Sequence, residues 1–298
     1  MFIINHRKVF FTLSAVLIIG SFVAMFVYGL KLGIDFKGGS LLEVSYATAR
    51  PELEVTKAEL NKLDFGTYIL TPSGNLSYVL KTRDITPTEK TSIIEALSKD
   101  SNNLPKEEKF NSIGPVVGDQ LKSKAMMAIV VVIICIVLFI TFAFRKVSQP
   151  VASWKYGLAT VIALAHDVII PTGVFVVWTH FHGGEIDLLF VTALLAILGY
   201  SVHDTIVVFD RVRENLRLGH GKGDFAETVG VSVNQTFGRS INTSLTIFLA
   251  LAALYFIGGE TTRDFAFVLL VGIIAGTYSS IFVASPLLVT LEKLQKKG

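Results

Sequence analysis

Asp204 is a carboxylic acid placed where the surrounding sequence predicts the interior of a membrane. Residues 188–209 form an apolar run of spanning length, and His203 and Asp204 lie inside it. A carboxylate at that depth costs roughly 2.5–3.5 kcal/mol on insertion scales, so it requires a partner, a proton or a function. The chemistry open to such a group is the binding and release of a proton.

Two other predicted spans carry polar groups at depth, namely His166 with Asp167 and Arg239 with Asn242. At 1.5 Å of rise per residue, Asp204 lies about 24 Å and Arg239 about 27 Å below the outer ends of their helices. Antiparallel neighbouring helices would therefore place Asp204, Arg239 and Asn242 within about one turn of one another. Asp167 is higher, about 16 Å below the outer end of its helix.

An acid beside a permanent cation can act as a proton-coupled switch. Burial favours the neutral form of the acid and the cation favours the charged form, so a small helix movement can take up or release a proton. We predict a proton pathway formed by Asp204, Arg239 and Asn242. The weaker candidates for the same pathway are Asp167, His166, His203 and Ser201. The alternative is a static ion pair that only orders the bundle.

The adjacent His and Asp residues at 166–167 and 203–204 also raise the question of a metal site. Adjacent side chains point about 100° apart on a helix, and the His-Glu-x-x-His spacing is absent from the sequence. The sequence also lacks a Ser/His/Asp elbow, a Walker loop and a dinucleotide fingerprint. We therefore expect no metal, no enzyme active site, and no cofactor other than protons as the coupling ion.

Apolar runs of about 20 residues predict six membrane-spanning helices. Only 17% of the residues are charged, against about 25% in soluble domains. The runs are 9–28, 125–144, 157–178, 188–209, 241–257 and 265–291. Lys and Arg in the short loops fall on one side, which predicts cytoplasmic N- and C-termini and an exported segment after the first run. The net charge of +3 is not gathered in one patch, so we expect no nucleic acid partner.

We predict three regions: a cytoplasmic N-terminus with the first span at 1–30, an exported α+β domain at 31–124, and a five-helix bundle at 125–298. A cytoplasmic loop is predicted at 210–238 within the bundle. Apolar residues recur every four positions in this loop, which predicts a short amphipathic helix along the membrane surface. They are Phe225, Val229, Val233 and Phe237.

The exported segment alternates in the order β-α-β-β-α-β, which is that of a ferredoxin-like module. Thr86 and Glu89 form a capping box with Pro87 at the first helical position. The residues of the segment have no catalytic spacing, so we expect docking or substrate contact, with a plain spacer as the alternative.

Two glycine-rich joints flank this segment, and glycine permits backbone conformations closed to other residues. They are predicted to act as turns or as hinges, and their residues are Gly33, Gly38, Gly39, Gly114, Pro115 and Gly118. In the last span, small residues recur every four positions and predict a helix-packing face. These are Gly272, Gly276, Ser280 and Ala284.

Four segments resemble the SecF branch of the SecD/SecF family, in the resistance–nodulation–division superfamily: 33–39, 114–118, 207–215 and 239–246. The resemblance implies a ferredoxin-like exported domain and places Asp204 and Arg239 at the family's proton-pathway aspartate and arginine. It implies a subunit in the bacterial inner (cytoplasmic) membrane that uses the proton-motive force for late-stage translocation of secreted proteins. The implied partners are SecD as a heterodimer, the SecYEG channel, YajC and YidC, the unfolded polypeptide, and membrane lipid.

Two other functions stay open on the residues alone. One is half of a proton-coupled exporter of lipids or small hydrophobic compounds, although such exporters normally carry a larger exported region. The other is an assembly scaffold in which the buried polar groups only hold helices together.

Overall fold

The computed structural model describes residues 2–98, 103–145, 151–219 and 224–295. The chain divides into two compact units, one of Met1–Lys31 with Met127–Gly298 and the other of Leu32–Met126. The predicted limits of the α+β domain, 31 and 124, lie within two residues of this division.

The described residues contain six helices that are long and apolar enough to cross a membrane, as predicted. Span 1 follows a single helical turn at Phe2–Asn5. Span 6 is interrupted by a π-helical turn, Ser280–Ala284. The helices are span 1 (Arg7–Tyr28), span 2 (Pro115–Ala143), span 3 (Ser153–His182), span 4 (Leu188–Arg217), span 5 (Phe225–Ile257) and span 6 (Glu260–Ser279, then the π-turn, then Ser285–Gln295).

The predicted cytoplasmic loop at 210–238 was wrong as a loop, because spans 4 and 5 continue into it. Phe225, Val229 and Val233 are buried in the core of the bundle rather than lying on a membrane surface, while Phe237 is exposed. A four-residue apolar repeat has the period of any core-facing helix. The pattern therefore predicted the helix correctly but not the surface on which it packs. Part of the connection, 220–223, lies outside the described residues.

Spans 3, 4 and 6 are more than half buried, whereas spans 1, 2 and 5 are largely exposed. Small residues allow the close approaches. A Cβ atom built on Gly276 would lie 3.1 Å from Ser201 Cβ, and Gly272 faces the side chain of Ile197. The predicted packing face of span 6 therefore lies against span 4.

The α+β domain is a four-stranded antiparallel sheet with two helices, which confirms the ferredoxin-like prediction. The strands are β1 (Gly39–Ser45), β2 (Tyr68–Ser73), β3 (Ser77–Thr82) and β4 (Lys106–Ile113), in the spatial order β2-β3-β1-β4. The helices are Leu53–Leu60 and Pro87–Leu97, with one further helical turn at Ile34–Lys37.

Alternate residues of the central strands fill the core of this domain. Leu42 and Val44 of β1 and Tyr78 and Leu80 of β3 are buried. Such a period-two pattern is what a sheet covered on one face requires. The second helix begins with the predicted capping box, in which Thr86 N donates to a Glu89 carboxylate oxygen at 2.8 Å.

Candidate functional site: two buried carboxylates

Asp204 is buried in span 4, with 6% of its surface exposed. Its carboxylate accepts a hydrogen bond from Ser240 Oγ of span 5 at 2.6 Å and another from Ser280 Oγ of span 6. Three helices therefore meet at this carboxylate. Because each serine hydroxyl can both donate and accept, the surroundings are able to serve either the ionised or the protonated acid.

Asp167 of span 3 is a second buried carboxylate, with no exposed surface. Its Oδ1 lies 2.9 Å from Nδ1 of His166, the preceding residue. Its Oδ2 accepts from Ser279 Oγ of span 6 at 2.7 Å and from Ser201 Oγ of span 4. The structure thus gives Asp167 more polar partners than Asp204.

The two carboxylates are linked through span 6. Ser279 and Ser280 are consecutive residues where the α-helix becomes the π-turn, and each donates to a different carboxylate. Span 4 also serves both sites, because it carries Asp204 itself and Ser201, which donates to Asp167. Asp167, Ser201, Ser279, Ser280 and Asp204 therefore form one buried polar cluster.

Further hydroxyl groups continue the cluster between spans 4, 5 and 6. Ser244 Oγ lies 2.7 Å from Tyr200 Oη and 2.6 Å from Thr277 Oγ1. It also donates to the carbonyl of Ser240, at 2.7 Å. Ser240 in turn donates to Asp204, so the hydroxyl groups extend the polar region along span 5.

The counted depths placed Asp204 within about one turn of Arg239, and the structure gives Asp204 a different hydrogen-bond partner from span 5, namely Ser240. Among the residues that the structure describes, no ion pair joins Asp204 and Arg239, and Arg239 is exposed and lines a surface cavity together with Asp210 and Glu214. Counting helix rise fixes the depth of a residue but not the direction in which it points. The neighbouring residue, Ser240, is the one that points at Asp204.

Two other predicted pathway residues also lie on the outside of this chain. Asn242 of span 5 and His203 of span 4 are exposed, whereas the weaker candidates Ser201, His166 and Asp167 are buried. The predicted pathway residues therefore divide into a buried group and an exposed group in this chain.

Sequence reasoning missed Ser240 and Ser279, and it gave Ser280 only a packing role. A serine within a spanning helix ordinarily bonds to a carbonyl of its own helix, so its presence predicts no partner. The signal that could have found Ser279 and Ser280 is their occurrence as a consecutive pair inside a predominantly apolar span.

His166 is almost fully buried and makes an unusual set of contacts. Its ring stacks on Tyr278 with centroids 5.8 Å apart, and its Nε2 has no hydrogen-bond partner among the described atoms. Tyr278 Oη donates to the carbonyl of Phe10 in span 1 at 2.9 Å. The described part of the chain contains no group of three or more metal-ligating side chains.

The two glycine-rich joints meet within the α+β unit. Gly38 has a left-handed φ of 75°, and a Cβ built on it would lie 2.7 Å from Pro115 Cα. A Cβ built on Gly118 would lie 2.7 Å from the backbone nitrogen of Gly38. Gly39 also has a positive φ, and its Cβ position lies 2.6 Å from the carbonyl oxygen of Thr82. Gly33 and Gly114 supply the carbonyls that begin the two helices after them.

Taken together, six spanning helices, a ferredoxin-like domain after the first and a buried carboxylate cluster define a polytopic α-helical membrane protein. Two family models match the chain: "Protein export membrane protein SecD/SecF, C-terminal" over residues 93–294 and "SecD/SecF GG Motif" over residues 23–49. The chain belongs to the SecD/SecF family of protein export membrane proteins.

Similar proteins are found along nearly the whole chain. The protein translocase subunit SecF of Thermobaculum terrenum is 40% identical, over 97% of this chain and 93% of that protein. The same subunit of Anaerolinea thermophila is 37% identical, over 97% and 94%.

Two solved structures of SecDF also match nearly the whole of this chain. The crystal structure of SecDF, a translocon-associated membrane protein from Thermus thermophilus, matches with a TM-score of 0.82 and 32% identity. It covers 97% of this chain, which spans only 38% of that longer chain. SecDF in its super-membrane-facing form matches with a TM-score of 0.66, over 98% of this chain.

Proposed function

We propose that this chain is the SecF-type subunit of an accessory complex of the Sec translocon. In this proposal it uses the proton-motive force to drive late-stage translocation of secreted proteins, and it catalyses no covalent reaction. The names of its relatives support the assignment to the Sec translocon. The observation that supports the use of the proton-motive force is Asp204, a carboxylate buried between spans 4, 5 and 6.

The physical basis of the coupling is the choice between two charge states at Asp204. The ionised acid is held by hydroxyl donors, and the neutral acid suits the apolar helices around it. A proton that crosses the membrane through such a group releases about 2.3 kcal/mol for every 100 mV of potential. Each protonation step changes which helix contacts are favourable, so the ion gradient can drive a cycle of helix movements.

The proposed heterodimer partner is SecD. SecDF, to which this chain is similar, is a much longer single chain, and this chain matches 38% of it. The exposed polar groups of spans 4 and 5, His203, Arg239 and Asn242, support a protein partner at that surface. A charge facing the bilayer is costly, whereas a charge facing protein or a water-filled space is common. In the complete assembly, Arg239 and Asn242 complete the proton pathway with the partner.

The complex acts on unfolded polypeptide emerging from the SecYEG channel, with YajC and YidC as further partners. The chain lies in the bacterial inner membrane with both termini in the cytoplasm and the α+β domain outside. The loop distribution of Lys and Arg supports this orientation.

The deciding experiment replaces Asp204 by Asn and follows export of a secreted precursor into membrane vesicles at fixed ATP. We expect the export that depends on the proton-motive force to fall at least tenfold, because the amide cannot exchange a proton. The matched control is Asp224→Asn, an exposed carboxylate immediately before span 5 whose side chain makes no capping hydrogen bond. Unchanged export in Asp204→Asn would contradict the proposal, and a defect in lipid efflux with normal export would favour the exporter function.

A further inference from the structure

We propose that Ser279 and Ser280 form a hydroxyl switch that transmits the protonation states of Asp167 and Asp204 to the π-turn of span 6. The inference rests on the proposed proton coupling at Asp204. It adds Asp167 as a second proton-binding group and assigns the two serines as positioning residues for both acids.

Each serine hydroxyl has two acceptors within reach but only one hydrogen. Ser280 Oγ contacts the Asp204 carboxylate and also lies 3.0 Å from the carbonyl oxygen of Thr277. Ser279 Oγ lies 2.7 Å from Asp167 and 3.1 Å from the carbonyl oxygen of Gly276. A hydroxyl donates one hydrogen, so it serves either the carboxylate or the carbonyl of its own helix.

The protonation state of the acid decides between these two acceptors. An ionised carboxylate only accepts, so it draws the serine hydrogen to itself. A protonated carboxyl group can donate its own hydrogen to the serine oxygen, which frees the serine hydrogen for the carbonyl three residues earlier. The proton that enters therefore stays on the carboxyl group, and the serine hydrogen turns towards the helix.

The helix is poised to respond at this position. The bonds concerned lie at the start of the π-turn, Ser280–Ala284, and Ser285 Oγ donates to the carbonyl of Ser280 at 2.9 Å. A side chain that bonds to a carbonyl of its own helix tends to bend that helix. Single π-turns are frequent at functional sites. Because Ser279 and Ser280 are consecutive, the same turn senses both acids.

The groups facing the two acids are almost all neutral hydroxyls. Asp204 faces Ser240 of span 5 and Ser280 of span 6. Asp167 faces Ser201, Ser279 and the titratable ring of His166, which stacks on the titratable Tyr278 of span 6. In the described part of the chain, no Lys or Arg forms an ion pair with either acid. The serines are therefore the groups best placed to distinguish the charge states.

The test is an infrared pH titration of the full-length purified chain in phospholipid vesicles, following the carbonyl band of protonated carboxyl groups. The part of the band that disappears in Asp204→Asn belongs to Asp204. We expect Ser280→Ala to move its midpoint to higher pH by about one unit, because the ionised acid has lost a donor. Ser280→Thr, which keeps the hydroxyl, should restore the original midpoint.

Coupling between the acids gives a second readout. Asp167→Asn fixes a neutral side chain at that position and should shift the Asp204 midpoint by a few tenths of a unit. Adding Ser279→Ala should abolish this shift, because it removes the connection through the turn. The control is Thr160→Ala, which removes a buried hydroxyl of span 3 that donates to the carbonyl of Tyr156 in its own helix at 2.9 Å.

The possible negative results distinguish failure of the hydroxyl switch from failure of the proposed function. If Asp204 titrates but Ser280→Ala leaves its midpoint unchanged, or Ser280→Thr behaves like Ser280→Ala, the switch is overturned while the proposed function stands. If Asp167→Asn has no effect on Asp204, or its effect survives Ser279→Ala, the coupling through the turn is overturned. If Asp204 shows no titration between pH 4 and 10, both the switch and proton coupling at Asp204 fall.

Discussion

At the residue scale, the described contacts of the two acids are mostly with hydroxyl groups, and none is with Lys or Arg. A buried Asp–Arg pair would hold the acid ionised and would leave an uncompensated charge whenever the acid took a proton. Serine hydroxyls serve both states, because they can reverse from donor to acceptor. The surroundings of Asp167 and Asp204 therefore suit groups that change charge during a cycle better than groups that stay paired.

A residue-scale prediction concerns Glu89 in the capping box of the α+β domain. Its hydrogen bonds with the Arg83 side chain and the Thr86 backbone lower the pKa of its carboxyl group from 4.5 to about 2. A lowered pKa stabilises the folded domain above about pH 4.5, and the contribution is lost as the pH falls from there to about 2. Amide exchange of the helix Pro87–Leu97, corrected for intrinsic rates, should speed up several-fold across that window.

Glu89→Gln provides the check on this prediction. The variant should exchange faster than the parent at pH 7 and should lose the extra acceleration below pH 4.5. Glu95→Gln, on the exposed side of the same helix, should keep the parental profile. An unchanged acid profile in Glu89→Gln would show that other groups control this end of the helix.

At the element scale, the helices are positioned by close approaches between small residues. Gly173 of span 3 faces span 1, and a Cβ atom built on it would lie 2.5 Å from Ser21 Cα. The two joints of the α+β domain show the same device, since Gly38 contacts the backbone of Pro115. Because these two joints touch, they would move together in any hinge motion, and the hinge itself stays a prediction.

We predict that Gly173→Ala lowers the stability of the bundle by about 1–3 kcal/mol, because the added methyl group overlaps the backbone of span 1. Alanine favours a helix over glycine by up to about 1 kcal/mol, so a net loss identifies the steric effect. The measurement is unfolding of the detergent-solubilised protein. Gly20→Ala is the control, since its Cβ position has no atom within 4 Å, and equal behaviour of the two variants would refute the prediction.

Most of the helices and strands could be predicted from the sequence, because local patterns specify them. Six apolar runs and a β-α-β-β-α-β alternation are local patterns, and each sets an element by itself. The π-turn at Ser280–Ala284 and the inward helices of 210–238 depend on tertiary packing, which no local pattern encodes. For the same reason, helix rise predicted the depth of Asp204 correctly relative to span 5, but could not choose Ser240 over Arg239.

At the scale of the whole molecule, the spanning helices differ in how much of their surface is covered by the rest of the bundle. Spans 3, 4 and 6 form the packed part, whereas spans 1, 2 and 5 are largely exposed. On span 5 the exposed residues include Arg239, Asn242 and Thr243, which are poor lipid contacts. This distribution supports the proposal that another protein covers the polar face of span 5.

The corresponding prediction is a cross-link. In a chain whose free Cys135 is replaced by Ser, a cysteine at Asn242 should cross-link to a larger membrane protein that copurifies with it. Ser244→Cys is the matched control, because Ser244 lies two residues further along span 5 and is buried against Thr277. It should give no product.

The identity of the cross-linked product shows what covers the exposed polar residues of span 5. A product with a larger relative of this chain means that Arg239 and Asn242 face the partner, so that their polar groups are buried only in the complex.

Arg239→Ala should then weaken copurification at least tenfold, because the partner's buried polar groups lose a charged hydrogen-bond donor. A product made only of two copies of this chain, or a stable monomer without cross-links, would mean that span 5 meets lipid or itself. In that case the pathway of the proton would have to run through the buried cluster of Asp167 and Asp204 alone.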